Sequence, residues 1–272
     1  MVLHIHIPVC NNPEFIKLQY YTLKRFCEDP FEITIFNDAK SFSDYSNYGD
    51  ISLKQKINDI CKELNLKCIN IENSLDQSIL TSASARHSRT ANLMWHHYEK
   101  NLNESLLVLD SDMFPIRSFS IMNELKNYDF SYTLQTRENN VKYAWPNLFW
   151  CSPSKLQYKD VLDWSTDPSR NCDTGGKSDR FLNLQTSSTL HQHNHFISLM
   201  WDKNDIKEKL ELFPSKVIDF CENDIKNINK KYWCEIYHDI FLHLRAGSNW
   251  EGIARSIHDQ RTESIKQVLT SI

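Results

Sequence analysis

At 272 residues, with 40% hydrophobic and 12% aromatic side chains, the chain can bury a substantial core as one large domain or two small ones. Its 31 basic residues are scattered among 35 acidic ones for a net charge of −4, so no basic face marks a nucleic-acid partner. No window approaches about 18 uninterrupted apolar residues, and "MVLHIHIPVC" lacks a basic segment followed by a long apolar one, so neither a membrane span nor a secretory signal is expected.

"VLHIHIP" alternates apolar residues with His and predicts a strand. "NPEFIKLQYYTLKRFC" has apolar residues at helical spacing, with Asn12 available as a cap and Pro13 in the first turn. "FEITIFND" predicts a second strand ending on Asn37 and Asp38, "ISLKQKINDICKELN" a helix and "KCINIE" a strand. "SASARHSRTANLMWHHYEK" predicts a helix opened by Ser, and "SLLVLD" the next strand. This β-α-β-α-β-α-β order within about 110 residues predicts an α/β sandwich with a mainly parallel sheet, in which ligands bind beyond the carboxyl ends of the strands. Asp38 and Asp110 both fall there.

Farther on, "DFSYTLQ", "NLFWCS", "TLHQHNHFISL" and "FPSKVIDF" read as strands, and "EGIARSIHDQRTESIKQVLTSI" as a closing amphipathic helix. No linker, repeat or low-complexity tract divides the chain. We therefore expect a single domain over 1–272, its 1–115 half building a site that its 116–272 half completes. The eight cysteines show no CxxC pair or zinc-ribbon spacing, and point to reduced thiols in a cytoplasmic protein. The Asn-, Lys- and Ile-rich usage suggests an AT-rich bacterial or viral genome, with the host cytoplasm as the location if viral. Among only five glycines there is no GxGxxG and no GxxxxGK[ST], so neither a dinucleotide fingerprint nor a P-loop is present.

The chemistry concentrates in "LLVLDSDMFP", an apolar run that stops on Asp110-Ser111-Asp112. Two carboxylates at i and i+2 on a strand end face opposite sides, so the chain must turn at Ser111 before both hold one ion. A hard divalent cation, Mn²⁺ or Mg²⁺, prefers such an oxygen-rich donor set. A solvated turn or a helix cap is the alternative for any lone DxD.

With the β-α-β start and "SARHSRTANLMW" before it, "LLVLDSDMFPI" resembles the DxD motif of GT-A (Rossmann-like) nucleotide-sugar glycosyltransferases. The resemblance covers residues 1–115 and is most specific at the DxD. It implies a metal-dependent transferase moving a sugar from a nucleotide-sugar donor, UDP-sugar favoured, to a glycan, protein or small-molecule hydroxyl. It also implies that Asp110 lies near the ribose or metal, that Asp112 binds the metal, and that Asp38 lies near the nucleobase. Some retaining members carry a late His-x-x-Gly loop whose His completes the metal shell. Here "FLHLRAGSNW" departs from that pattern: Gly247 comes four residues after His243, and the Lys that meets the diphosphate is absent, a role Arg245 could take; an ordinary core or capping histidine is the alternative.

Arg86, Arg89 and Asn92 in "ARHSRTAN" are candidates for the donor phosphates and sugar hydroxyls, guanidinium forks being suited to both. In "CDTGGKSDRF", Asp173 or Asp179 is the candidate general base of an inverting enzyme, with an ordinary turn as the alternative. "TLHQHNHF" places His191, His193 and His195 on one face, a spacing able to chelate zinc, but no Cys or carboxylate accompanies them at a recognisable spacing, so surface or active-site-wall histidines are expected over a dedicated zinc site. "YAWPNLFW" is either a sugar-stacking wall or core. The competing functions are a non-catalytic carbohydrate- or nucleotide-sugar-binding protein on the same fold, and a DxD phosphatase of the haloacid dehalogenase type. The latter disagrees with Met113-Phe114 after the motif and with three strand units before it.

Overall fold

The structure is a computed structural model that describes residues 1–74, 82–137, 140–193, 195–197, 212–228 and 231–272. Strands β1 (Leu3–Val9), β2 (Phe31–Asn37), β3 (Lys67–Asn70) and β4 (Leu106–Leu109) alternate with helices α1 (Pro13–Phe26), α2 (Leu53–Glu63) and α3 (Ala83–Met94), as expected. Strands β6 (Phe130–Thr136), β7 (Lys142–Cys151) and β8 (Leu190–Gln192) extend the same sheet, in the order β3-β2-β1-β4-β7-β6-β8. Pairing is parallel from β3 to β4 and again between β6 and β8, and β7 runs antiparallel to both its neighbours.

A second sheet was not expected. Strands β5 (Met113–Pro115), β9 (His195–Ile197), β10 (Glu235–Tyr237) and β11 (Phe241–His243) pair antiparallel in the order β5-β11-β10-β9. Asn194, the side chain of His195 and residues 198–199 of the His-rich run lie outside the described residues.

Apolar alternation explains the core. Leu3, Ile5, Ile7 and Val9 of β1 pack with α1, α2 and the small sheet, whereas His6 turns to the opposite face. There its Nδ1 meets the buried Glu99 carboxylate at 3.0 Å, the end of α3 being wound as a π-helix over Trp95–Glu99. After the short helices α4 (Ile121–Glu124) and α5 (Asp179–Leu184), a third cluster joins α1, α6 (Ser215–Asn223) and α7 (Arg255–Leu269) around Phe15, Phe220 and Ile265. Among the described residues no helix is long and apolar enough to cross a membrane.

Two local expectations need correction. "FPSKVIDF" belongs to α6: Pro214 precedes the first turn, and Val217, Phe220 and Cys221 fall on one buried helical face. Asn12 does not cap α1 with its side chain. It takes a left-handed conformation (φ 46°), and its amide donates to Thr262 Oγ1 at 2.9 Å, tying α1 to α7.

In α7, His258 is 2% exposed, packed near Tyr48 and Trp250, and its Nε2 has no hydrogen-bond partner among the described residues. Burial, aided by the Arg261 charge, pushes it down to about 4. Below about pH 6.5 the unfolded chain takes up a proton that the native state refuses. Stability is therefore intact above that pH and declines as pH falls toward 4, by about 3 kcal/mol at most for this group. Denaturant melts of the wild type and His258→Gln at pH 7 and pH 5 check this. The variant should lose less on acidification, and parallel losses would refute it.

Candidate functional site

Asp38 follows β2 and Asp110 follows β4, so parallel pairing through β1 brings both to the carboxyl edge of the large sheet. A cleft of about 620 Å³ opens there, and both aspartates line it.

At its floor the DxD is folded into a tight turn, as the spacing requires. Met113 N donates to Asp110 O at 3.2 Å, and the buried Gln19 amide of α1 donates to Asp110 O at 2.7 Å and Met113 O at 2.9 Å. Asp110 Oδ1 accepts from Ser111 N at 2.8 Å, and Oδ2 accepts from the Asn147 amide. Asn147 reaches it because the β6–β7 register breaks after Tyr132, leaving Pro146, Asn147 and Leu148 unpaired with β6, and the resulting bulge re-aims this stretch toward β4. Proline sits at the break, where no ladder donor is required.

The small sheet supplies a third side chain able to ligate a metal. Residue 243 pairs with residue 113 across β11–β5, and this register places the imidazole beside the DxD. His243 Nε2 lies 3.3 Å from Asp112 Oδ1, and its Nδ1 lies 2.8 Å from Glu235 Oε2, directly opposite on β10. Tyr237 Oη donates to the same Glu235 oxygen at 2.8 Å. Donor atoms of Asp110, Asp112 and His243 all lie within 4.8 Å of one another.

The loop after β11 wraps the second aspartate. Leu244 N donates to Asp112 O at 2.8 Å, and Ser248 donates to Asp112 Oδ2 from its N at 2.9 Å and its Oγ at 3.1 Å. This close approach explains Gly247, since a Cβ there would stand 2.9 Å from Asp112 Cβ and 3.0 Å from the Phe15 ring. Asp112 Oδ1 is buried, and apart from the 3.3 Å contact with His243 Nε2 it has no polar partner among the described residues, which leaves it able to face an ion.

Electrostatically the two carboxylates are unequal. Burial and the Asp112 charge push Asp110 up. Burial also opposes ionisation of Asp112, but the His243 charge and the bonds from His243 and Ser248 outweigh it and hold Asp112 below the ordinary carboxylate range. For His243 burial disfavours the imidazolium, yet Asp112 and Glu235 overcome it and raise the ring to about 10. Without a cation, a proton on His243 occupies the same electrostatic role. A divalent ion has to displace it, and the all-oxygen-plus-imidazole donor set fits such an ion.

The remaining expected residues divide. Arg86 and Arg245 line the cleft, Arg86 paired with Asp44 at 2.7 Å and set over the Tyr45 ring, Arg245 set over Trp233. Asp173 also lines it, exposed, with its Oδ1 accepting from Thr174 N at 2.7 Å. Asp38 lines the cleft too, but its oxygens already accept from Lys40 Nζ at 2.9 Å and Thr90 Oγ1 at 3.1 Å. Arg89, Asn92 and Asp179 lie outside it. Arg89 donates to Glu72 O, Asn92 bridges Trp164, Asp163 and Ser165, and Asp179 is held by Arg170. Helical geometry accounts for the arginines: each step of three residues falls about 60° short of a full turn, so Asn92 ends about 120° from Arg86. His87 and Thr90 face the cleft in their place.

The double glycine serves packing. A Cβ on Gly175 (φ +88°) would stand 2.3 Å from Ala144 O, and one on Gly176 2.5 Å from Cys172 Cβ. The aromatic run splits, with Trp145 lining the cleft against His243 and Trp150 fully buried. Asn147, Glu235 and Ser248 were missed. The only local trace was the alternation that puts Glu235 and Tyr237 on one strand face. Comparison of the sequence with known protein families and with curated proteins returns no match.

Proposed function

We propose that the chain is a metal-dependent glycosyltransferase of the GT-A type, transferring a sugar from a nucleotide-sugar donor, UDP-sugar favoured, to a hydroxyl acceptor. The observation that carries this reading is the convergence of Asp110, Asp112 and His243 at the carboxyl edge of a parallel sheet, below walls bearing Lys40, Arg86, Arg137 and Arg245. A cation held by these three residues, Mn²⁺ or Mg²⁺, would supply Lewis-acid stabilisation to a departing diphosphate.

The chain's own groups do the rest. Asn147 and Gln19 fix the DxD turn in advance, so little reorganisation accompanies reaction. Glu235 orients His243 through Nδ1 and so presents Nε2 to the ion. Arg86, Arg137 and Arg245 are the cleft-lining guanidiniums for phosphate oxygens, and Trp145 lines the cleft as the candidate surface for the sugar. Asp173, exposed at the cleft, is the candidate base if the reaction inverts.

A second reading draws on the His243–Asp112 pair, which balances charge without any metal: a nucleotide-sugar-binding protein with no turnover. One panel separates them. Nucleotide sugars are incubated with the chain and Mn²⁺, and nucleotide release is scored with and without EDTA. The transferase predicts Mn²⁺-dependent release from one donor. Binding that survives EDTA with no release would favour the second reading, and neither binding nor release would remove both.

A further inference from the structure

A second group of metal-ligating side chains stands outside the cleft. Glu124 of helix α4 (Ile121–Glu124), His191 of edge strand β8 and His238 of the β10–β11 turn each place a donor atom within 4.8 Å of the others. None of the three lines the cleft at the DxD. Trp150 and the stacked ring of His193 pack beside them, His193 lying 3.9 Å from the indole and His238 5.2 Å, centroid to centroid.

We propose that Glu124, His191 and His238 form a second site, for Zn²⁺ or a similar borderline transition-metal cation. Three observations carry it. First, the donor set of two imidazoles and one carboxylate is the kind that zinc takes with a water as fourth ligand, and it is too nitrogen-rich to suit Mg²⁺ or Ca²⁺. Second, the group is incompletely satisfied. His238 Nε2 meets Glu124 Oε1 at 3.0 Å, but buried His238 Nδ1 and Glu124 Oε2 have no hydrogen-bond partner among the described residues. Third, His191 is backed as metal ligands usually are. Its Nδ1 meets Ser131 Oγ at 2.9 Å, which leaves Nε2 as the ring nitrogen for an ion.

The backing extends one residue further. Ser131 Oγ also lies 3.0 Å from His193 Nε2, and His193 Nδ1 lies 3.1 Å from Thr133 Oγ1. Two proton orders satisfy this relay of His191, Ser131, His193 and Thr133. In one, His191 Nδ1–H donates to Ser131 and Nε2 keeps its lone pair; in the other, Nε2 carries the hydrogen. A cation at Nε2 selects the first. The same relay occupies both nitrogens of His193, so the His191/His193 pair suggested by the spacing is not the chelate. His191 instead finds its partners on the β10–β11 turn and on α4, more than 40 residues away on either side in sequence. Asp239 is taken by Arg117 and is not a ligand.

Such an ion would pin the small sheet's turn to the edge of the large sheet. The test uses the full chain stripped by EDTA and titrated with Zn²⁺ alone in a calorimeter. Wild type should bind two ions. The double variant Asp110→Asn, Asp112→Asn should keep one, and His191→Gln or His238→Gln in that background should weaken it at least tenfold, with Ser131→Ala weakening it on the order of 10-fold through the relay. Co²⁺ in the double variant should show the visible absorption of a low-coordinate site. Circular dichroism on each sample establishes that it is folded. If the folded double variant binds no Zn²⁺, or binds it equally well with and without His191 and His238, the site does not exist. Neither outcome bears on the transferase reading, whose ligands are absent from that variant.

Discussion

Replacing Asp112 by Asn should abolish Mn²⁺-dependent nucleotide release while leaving the chain folded. The substitution removes the charge that faces His243 and the cation, at a loss on the order of 10² or more in turnover, about 3 kcal/mol, as for a preorganised electrostatic group. Stability should change little. Asn retains an oxygen for Ser248 N and Oγ, and losing the Asp112 charge relieves Asp110, which that charge pushes up. Asp112→Ala should be the harsher change, because the half-buried Ser248 N–H then loses its acceptor at about 1 kcal/mol. Calorimetry with Mn²⁺, a thermal melt and the release assay on one preparation provide the check. Wild-type release by folded Asp112→Asn would sink the metal mechanism.

For His243→Ala the expected loss is on the order of 2–4 kcal/mol in transition-state stabilisation, seen as a lower kcat with the donor. The structure adds a stability cost that the position in sequence did not suggest. His243 lies between the buried Asp112 carboxylate and the half-buried Glu235, and truncation removes the cation that faces both. The melting temperature should therefore also fall. What discriminates is turnover per folded molecule: a purely structural histidine would lower only the melt. His243→Gln, which keeps a donor toward Glu235, should recover part of the stability and little of the turnover. Normal turnover per folded molecule in both variants would end the claim that His243 serves the metal or the diphosphate.

What the sequence disclosed, and what it withheld, follows from the range of the interactions concerned. The strands of residues 1–110 are legible because each is an apolar run closed by polar residues, and the DxD is legible because carboxylates after "LLVL" have no place in a core. His243 could be suspected from its neighbouring glycine, but its partnership with Asp112 depends on the 243–113 register, which pairs segments 130 residues apart. Asn147 is aimed by a bulge visible only once β6 is paired with β7. Arg89 and Asn92 misled because spacing by threes drifts around a helix. The small sheet was missed because its four strands have three residues each, so that even the alternation of Glu235 and Tyr237 is too short to mark a strand.

Asp112 divides its labour between its two oxygens. Oδ2 fastens the loop through Ser248, and Oδ1 faces His243 and the cleft. The same loop is fastened onward: Ser248 O accepts from the Asn11 amide at 2.9 Å, and Trp250 stacks on Tyr48 at 4.9 Å. If a cation binds at Asp112, occupancy of the cleft and order of residues 244–250 would be two sides of one equilibrium. Thermodynamic reciprocity would then make Ser248 a determinant of cation affinity without coordinating the ion, and the ion a brace for the loop that leads into the C-terminal helix.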